Sequence, residues 1–194
     1  MADLSDFITS QSRRSILKLL ASDPHEMYHI RGIVRETNEE INSVRRELQK
    51  MEDCGLVRQE KRGNRVYYEI RQDYLYFGDI LSMVSKSCGL GNQILENRAK
   101  LGKLLYVMFS GRFARNKKRK KEDDVDILIV GDINLPELAN MVRIEESKRN
   151  YEINYAPMTR DELEFRKKRK DPFIQSIFQQ SRVMILGDEE TLVG

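Results

Sequence analysis

The residues best suited to chemistry lie in the second half of the chain. Asp124 and Asp126 stand two positions apart in Asp123-Asp124-Val125-Asp126-Ile127-Leu128-Ile129-Val130, whose apolar run reads as a strand. Strand alternation places the two carboxylates on one face. Paired carboxylates in such a position can hold one or two magnesium ions, and magnesium takes carboxylates together with nucleotide phosphates. Upstream, the apolar strand Leu104–Ser110 runs straight into Gly111-Arg112-Phe113-Ala114-Arg115. A small-residue loop there brings backbone N–H groups to phosphates, and arginine binds phosphate strongly. Ser110, Gly111, Arg112 and Arg115 are therefore the candidate nucleotide-binding residues. Arg115, Lys117, Lys118, Arg119, Lys120 and Lys121 crowd the loop between these two segments. Such a loop can hold nucleotide phosphates or a nucleic-acid acceptor, or it can be a solvated charge run.

The elements that must position these groups follow in order: a helix around 135–149, a strand over 152–157, helices over 161–168 and 172–180, and a strand over 183–186. With 194 residues, the chain has room for two small domains. Its 34 basic and 31 acidic residues and mean hydropathy of -0.60 predict a soluble, non-membrane protein. No apolar run approaches the roughly 18–20 residues that span a bilayer. Cys54 and Cys88 are too few for a disulfide scaffold, and two histidines leave little for a zinc site. A reduced, cytoplasmic setting is expected.

The first half has a different character. Residues 1–85 carry 13 basic and 14 acidic side chains, so any nucleic-acid surface there must be a local patch. Apolar spacing predicts helices over 10–21 and 29–35. A third runs from Thr37 to about Asp53, with Thr37 and Glu40 forming a capping box and Gly55 stopping it. Strands over 56–61 and 65–70 follow, joined by Arg62-Gly63-Asn64. Three helices and a basic-tipped hairpin make the winged helix-turn-helix order. On the third helix, Ile41, Val44, Leu48 and Met51 define the buried stripe, and Asn42, Ser43, Arg46, Gln49 and Lys50 lie opposite. Asn and Gln can bond adenine edges and Arg guanine, so this face suits the major groove of double-stranded DNA. Arg62, Asn64 and Arg65 at the hairpin tip can meet phosphate or the minor groove. Glu39 and Glu40 place negative charge at the helix end that would enter the groove.

The run Leu48-Gln49-Lys50-Met51-Glu52-Asp53-Cys54-Gly55-Leu56-Val57 resembles the end of the recognition helix in winged-helix regulators of the arsenic-repressor and multiple-antibiotic-resistance type. That resemblance covers about residues 8–72. The Gly111 and Asp124-Val125-Asp126 pair resembles the minimal nucleotidyltransferases of the polymerase-beta type, which carry Gly-Ser at one strand end and Asp-x-Asp on the next. Here Arg112 stands where that family has its serine. The resemblance implies a third metal-binding position on a later strand, occupied by Asn154 with Glu152 as its same-face neighbour. It also implies magnesium and an NTP as ligands.

The expected architecture is α+β. A winged helix-turn-helix domain spans residues 1–72 and a helical connector 73–103, with Gly89 and Gly91 separating two apolar helices able to form a homodimer. A nucleotidyltransferase-like α/β domain with a mixed sheet occupies 104–194. Two functions follow. One is a DNA-binding transcriptional regulator whose second domain binds Mg-NTP or is degenerate. The other is an active nucleotidyltransferase, antitoxin-like, modifying a protein, RNA or small molecule, with a toxin-like protein as a conceivable partner.

Overall fold

The computed structural model describes residues 4–194. The described chain is mixed α and β, and it divides into two compact units on either side of Ser87 and Cys88. The stretch 73–103, expected as a connector, is mostly helical, gives its last two residues to a strand, and is shared between the two units.

In the first unit, α1 (Gln11–Ser22) starts on the Ser10 hydroxyl, which accepts from the Arg13 N–H. A two-residue strand β1 (Tyr28–His29) leads into α2 (Ile30–Thr37), which ends at Asn38 in the left-handed conformation. Then α3 (Ile41–Asp53) begins. The expected capping box at Thr37 is corrected here: Thr37 is the last residue of α2, and its hydroxyl donates to the Ile33 carbonyl. Asn38 turns the chain, so Glu40 becomes the cap and its carboxylate accepts from the Ser43 N–H at 2.9 Å.

The end of α3 follows the expectation closely. Gly55 takes φ +76°, a left-handed position cheap only for glycine. The Gly55 and Leu56 N–H groups then donate to the Glu52 and Met51 carbonyls, a Schellman closure. β2 (Val57–Arg62) pairs antiparallel with β3 (Arg65–Ile70), Arg62 facing Arg65. The hairpin loop is thus Gly63-Asn64 alone, one residue shorter than expected, because pairing carries Arg62 into the strand. β1 adds to the other edge of β3. α4 (Phe77–Ser87) buries Phe77, Leu81 and Val84 and packs on α1.

The second unit opens with α5 (Gly89–Glu96) and α6 (Arg98–Leu101). The break between α4 and α5 falls at Cys88, beside Gly89 as expected, while Gly91 is buried inside α5 and a second break at Asn97 divides the expected second helix into α5 and α6. β4 (Gly102–Ser110) runs into the short α7 (Gly111–Ala114), and β5 (Ile127–Ile133) returns antiparallel beside it. α8 (Leu135–Arg149) crosses over to β6 (Tyr155–Met158), which lies parallel to β5. α9 (Arg160–Lys168), α10 (Pro172–Gln179), β7 (Arg182–Leu186) and α11 (Glu189–Val193) complete the chain. The sheet is mixed, in the order β6-β5-β4-β7. Met108, Leu128 and Val130 pack with Leu163, Ile174, Ile177 and Leu192 of α9–α11 in one core. Among the described residues no helix is long and apolar enough to cross a membrane.

Candidate functional site

Two surfaces carry the candidate residues, one in each unit. In the first unit, α3 turns Val44, Leu48 and Met51 inward, with Glu47 also buried. Glu47 bonds Arg13 of α1 at 2.7 Å and Lys50 at 3.3 Å, and these cations outweigh the effect of its burial to hold the carboxyl below its ordinary range. That pairing ties α3 to α1, beside the buried apolar stripe that turns the helix inward. Asn42, Arg46, Gln49 and Lys50 are consequently exposed together, with Ser43 half-buried at their edge. Arg45 is exposed on the same helix; helical spacing does not single it out, because it flanks the apolar stripe instead of lying opposite.

Most of these side chains hold weak local partners. Arg46 reaches the Ser43 hydroxyl at 3.4 Å and Gln49 donates to Asp53 at 2.8 Å. At the hairpin tip, Arg62, Asn64 and Arg65 are exposed, and Arg62 pairs with Glu60 at 2.7 Å. Exposed pairs of this kind contribute little and exchange readily for a phosphate.

The two acidic residues before α3 are both engaged. Glu39 accepts from the Ser12 and Ser15 hydroxyls at 2.7 and 2.9 Å, which lower its pKa. Glu40 is lowered by backbone N–H groups of Asn42 and Ser43. Its charge is spent on the positive end of the helix.

In the second unit, β5 begins at Ile127, so Asp124 and Asp126 precede the strand and strand alternation does not apply to them. Asp124 closes a turn, its carboxylate accepting from the Lys121 N–H at 3.0 Å. Asp126 is 1% exposed. Its Oδ2 accepts from the Asn154 N–H at 3.0 Å and from Arg119 Nη1 at 3.3 Å, while Oδ1 is buried without a hydrogen-bond partner. Asn154 donates its side-chain amide to the Asp124 carbonyl at 3.1 Å. Asp124, Asp126 and Asn154 are thus brought together. Glu152 projects to solvent, and its carboxylate meets Arg119 at 3.5 Å.

The strand end beside them is closely built. The buried Ser110 hydroxyl accepts from the Phe113 N–H at 3.2 Å, starting α7. Gly111 is a close approach: a Cβ there would stand 2.1 Å from Ser181 Oγ and 2.8 Å from Arg115 Nη1. Arg115 donates to the Gly111 carbonyl at 2.8 Å. Arg112 donates through Nε and Nη2 to the Lys118 carbonyl, at 2.9 and 2.8 Å. Arg112 and Arg115 therefore tie the local backbone together, a role that spacing alone does not reveal.

Magnesium, which the polymerase-beta-type resemblance implies, does not fit this donor set as arranged. Asp126 Oδ2 and Asp124 Oδ2 are both engaged, and a guanidinium already faces the buried carboxylate. Among the described residues there is no group of three or more His, Cys, Asp or Glu side chains able to hold a metal ion. Asp126 Oδ1 is the single feature here that points toward a further cation.

Burial raises the Asp126 pKa despite the opposing Asn154 N–H and Arg119. A carboxyl whose folded pKa exceeds its unfolded value stabilises the fold below the ordinary aspartate range, and that contribution is lost as pH rises through the raised value. Asp126→Asn removes this titration. The stability difference between variant and parent, followed by urea unfolding, is expected to shift in favour of the variant as pH rises through that window. A pH-independent difference would contradict the assignment.

No family model matches the chain, and no solved structure matches it. Over 71 residues it is 31% identical to an uncharacterized HTH-type transcriptional regulator of Methanocaldococcus jannaschii. The match covers 37% of this chain and 17% of that regulator, so this chain corresponds to a small part of the relative's length.

Proposed function

We propose that the chain is a DNA-binding transcriptional regulator with a winged helix-turn-helix in its first unit. The observation that carries this is the α3 face. Asn42, Arg45, Arg46, Gln49 and Lys50 are exposed along one helix, and the exposed Arg62, Asn64 and Arg65 form the tip of the hairpin in the same unit. α2 and α3 are joined by the short turn Asn38-Glu39-Glu40, the layout in which the second helix enters the major groove. The likeness to an HTH-type regulator supports the same reading. A homodimer would present two such helices to successive half-sites about 34–36 Å apart. The test is retention of genomic duplex fragments in a gel shift at low salt; no retention removes the reading.

A second reading, nucleotidyltransferase-like descent of the second unit, is favoured by its mixed sheet, by Gly111 at the end of β4, and by the clustering of Asp124, Asp126 and Asn154. Activity would require Arg119 to leave Asp126. Calorimetric titration with ATP, GTP, CTP and UTP, with and without magnesium, is expected to show no magnesium-dependent binding. Magnesium-dependent heat that disappears in the Asp124→Ala/Asp126→Ala variant would instead establish a working nucleotide site, and the search for an acceptor, a toxin-like protein included, would follow.

A further inference from the structure

The basic loop between α7 and β5 is held in place, and the way it is held leaves its lysines outward. Arg112 grips the Lys118 carbonyl with two N–H groups. Arg119 turns inward, donating to the Glu152 carbonyl at 2.8 Å and to Asp126. The Lys121 N–H is fastened by the Asp124 carboxylate. Three successive ties thus fix the backbone of a segment whose side chains repel one another. Lys118, Lys120 and Lys121 are exposed, and none has an acidic partner within ion-pair distance among the described residues. A merely solvated charge run requires no such anchoring.

These residues border an open cleft of about 240 Å³, with Tyr151 and the carboxylates of Glu122 and Glu152 completing its wall. Four cations face two carboxylates there, one of which, Glu152, is already paired with Arg119. Lys118 Nζ lies 5.7 Å from the centre of the Tyr151 ring. The cleft is smaller than the roughly 300 Å³ at which small-molecule pockets begin, so it does not enclose a nucleoside triphosphate. An open groove with successive cations beside one aromatic ring is instead the arrangement that tracks a phosphodiester backbone and stacks an unpaired base. Arg119 neutralises Asp126, which would otherwise repel phosphate, without a metal, and leaves the outward lysines to supply the positive charge.

We propose that the 118–121 loop and Tyr151 form a binding site for single-stranded nucleic acid that works without a divalent cation. This does not rest on the α3 reading, which concerns duplex DNA and the other unit. The test is fluorescence anisotropy of the full chain with a labelled oligothymidylate of about a dozen nucleotides, within the usual range of about 4–16 per site, at low salt in EDTA. Binding is expected, and Lys118→Ala/Lys120→Ala/Lys121→Ala is expected to weaken it about tenfold. The same variant should reduce the log–log salt slope by about 2, at roughly 0.7 for each phosphate no longer neutralised. Tyr151→Leu should weaken binding about fivefold or more with the slope unchanged. Arg46→Ala/Arg62→Ala should leave it intact, which separates the two surfaces. Unchanged binding in the triple-lysine variant would overturn the proposal, as would a requirement for magnesium. Displacement of the strand by ATP at equal phosphate concentration would also overturn it, assigning the cleft to free nucleotides.

Discussion

Phe113→Ala is expected to destabilise the second unit by about 3–5 kcal/mol, the usual cost of emptying a fully buried aromatic site. Phe113 is completely buried in α7, and its ring meets Phe109 edge-on at 5.0 Å between centroids. The Arg149 guanidinium lies 4.1 Å from the centre of the Phe113 ring and donates to the Phe113 carbonyl and the Tyr151 hydroxyl. Arg149 also bonds Glu145 at 2.8 Å, a buried carboxylate whose second oxygen has no hydrogen-bond partner. Removing the ring therefore opens a cavity and takes away the platform beside a mostly buried cation. The check is a urea midpoint followed by a probe in the second unit. Duplex binding by the first unit should persist, and loss of both together would show that the two units do not act separately.

The second large effect is expected at the α3 face. Arg46 is exposed on the helix, and its contact to the Ser43 hydroxyl is long at 3.4 Å, so its donors are available to meet a base edge. Loss of one such contact costs about 1–3 kcal/mol, or roughly 5- to 150-fold in affinity. Arg62, paired with the exposed Glu60, would act on phosphate. Arg46→Ala is expected to relax sequence preference. Arg62→Ala is expected to weaken binding to all sequences alike and to lower the salt slope by about 1. Equal effects of the two substitutions on every sequence would argue that α3 does not read bases.

Elements whose signals are local are legible in the amino-acid sequence itself. Pro136 near the start and Asn150 just past the end bracket α8 over Leu135–Arg149, and Gly55 marks the end of α3 through its own backbone freedom. The succession of strands and helices in the second unit is legible in the same way. The features that sequence leaves hidden depend on partners distant along the chain. Arg119 reads as one of six cations in a run until Glu152 and Asp126 are brought to it. Glu47, on the buried side of α3, is met there by Arg13 of α1, a partner 34 positions away along the chain. The cap of α3 lies three residues beyond the expected position because both Thr37 and Glu40 have capping chemistry, and the left-handed Asn38 decides between them. Asp124 and Asp126 read as strand residues because the apolar run that follows them has no sequence marker for where pairing begins.

Selection of genomic duplex fragments on the full chain, compared with the same selection on Asn42→Ala/Arg46→Ala, tests DNA recognition most directly. The wild-type chain is expected to enrich one sequence pattern, repeated at about one helical turn if two copies bind together. The variant is expected to retain fragments weakly and without that pattern. A wild-type chain that enriches no sequence, or a variant that enriches the same pattern as strongly, would contradict recognition of DNA through α3.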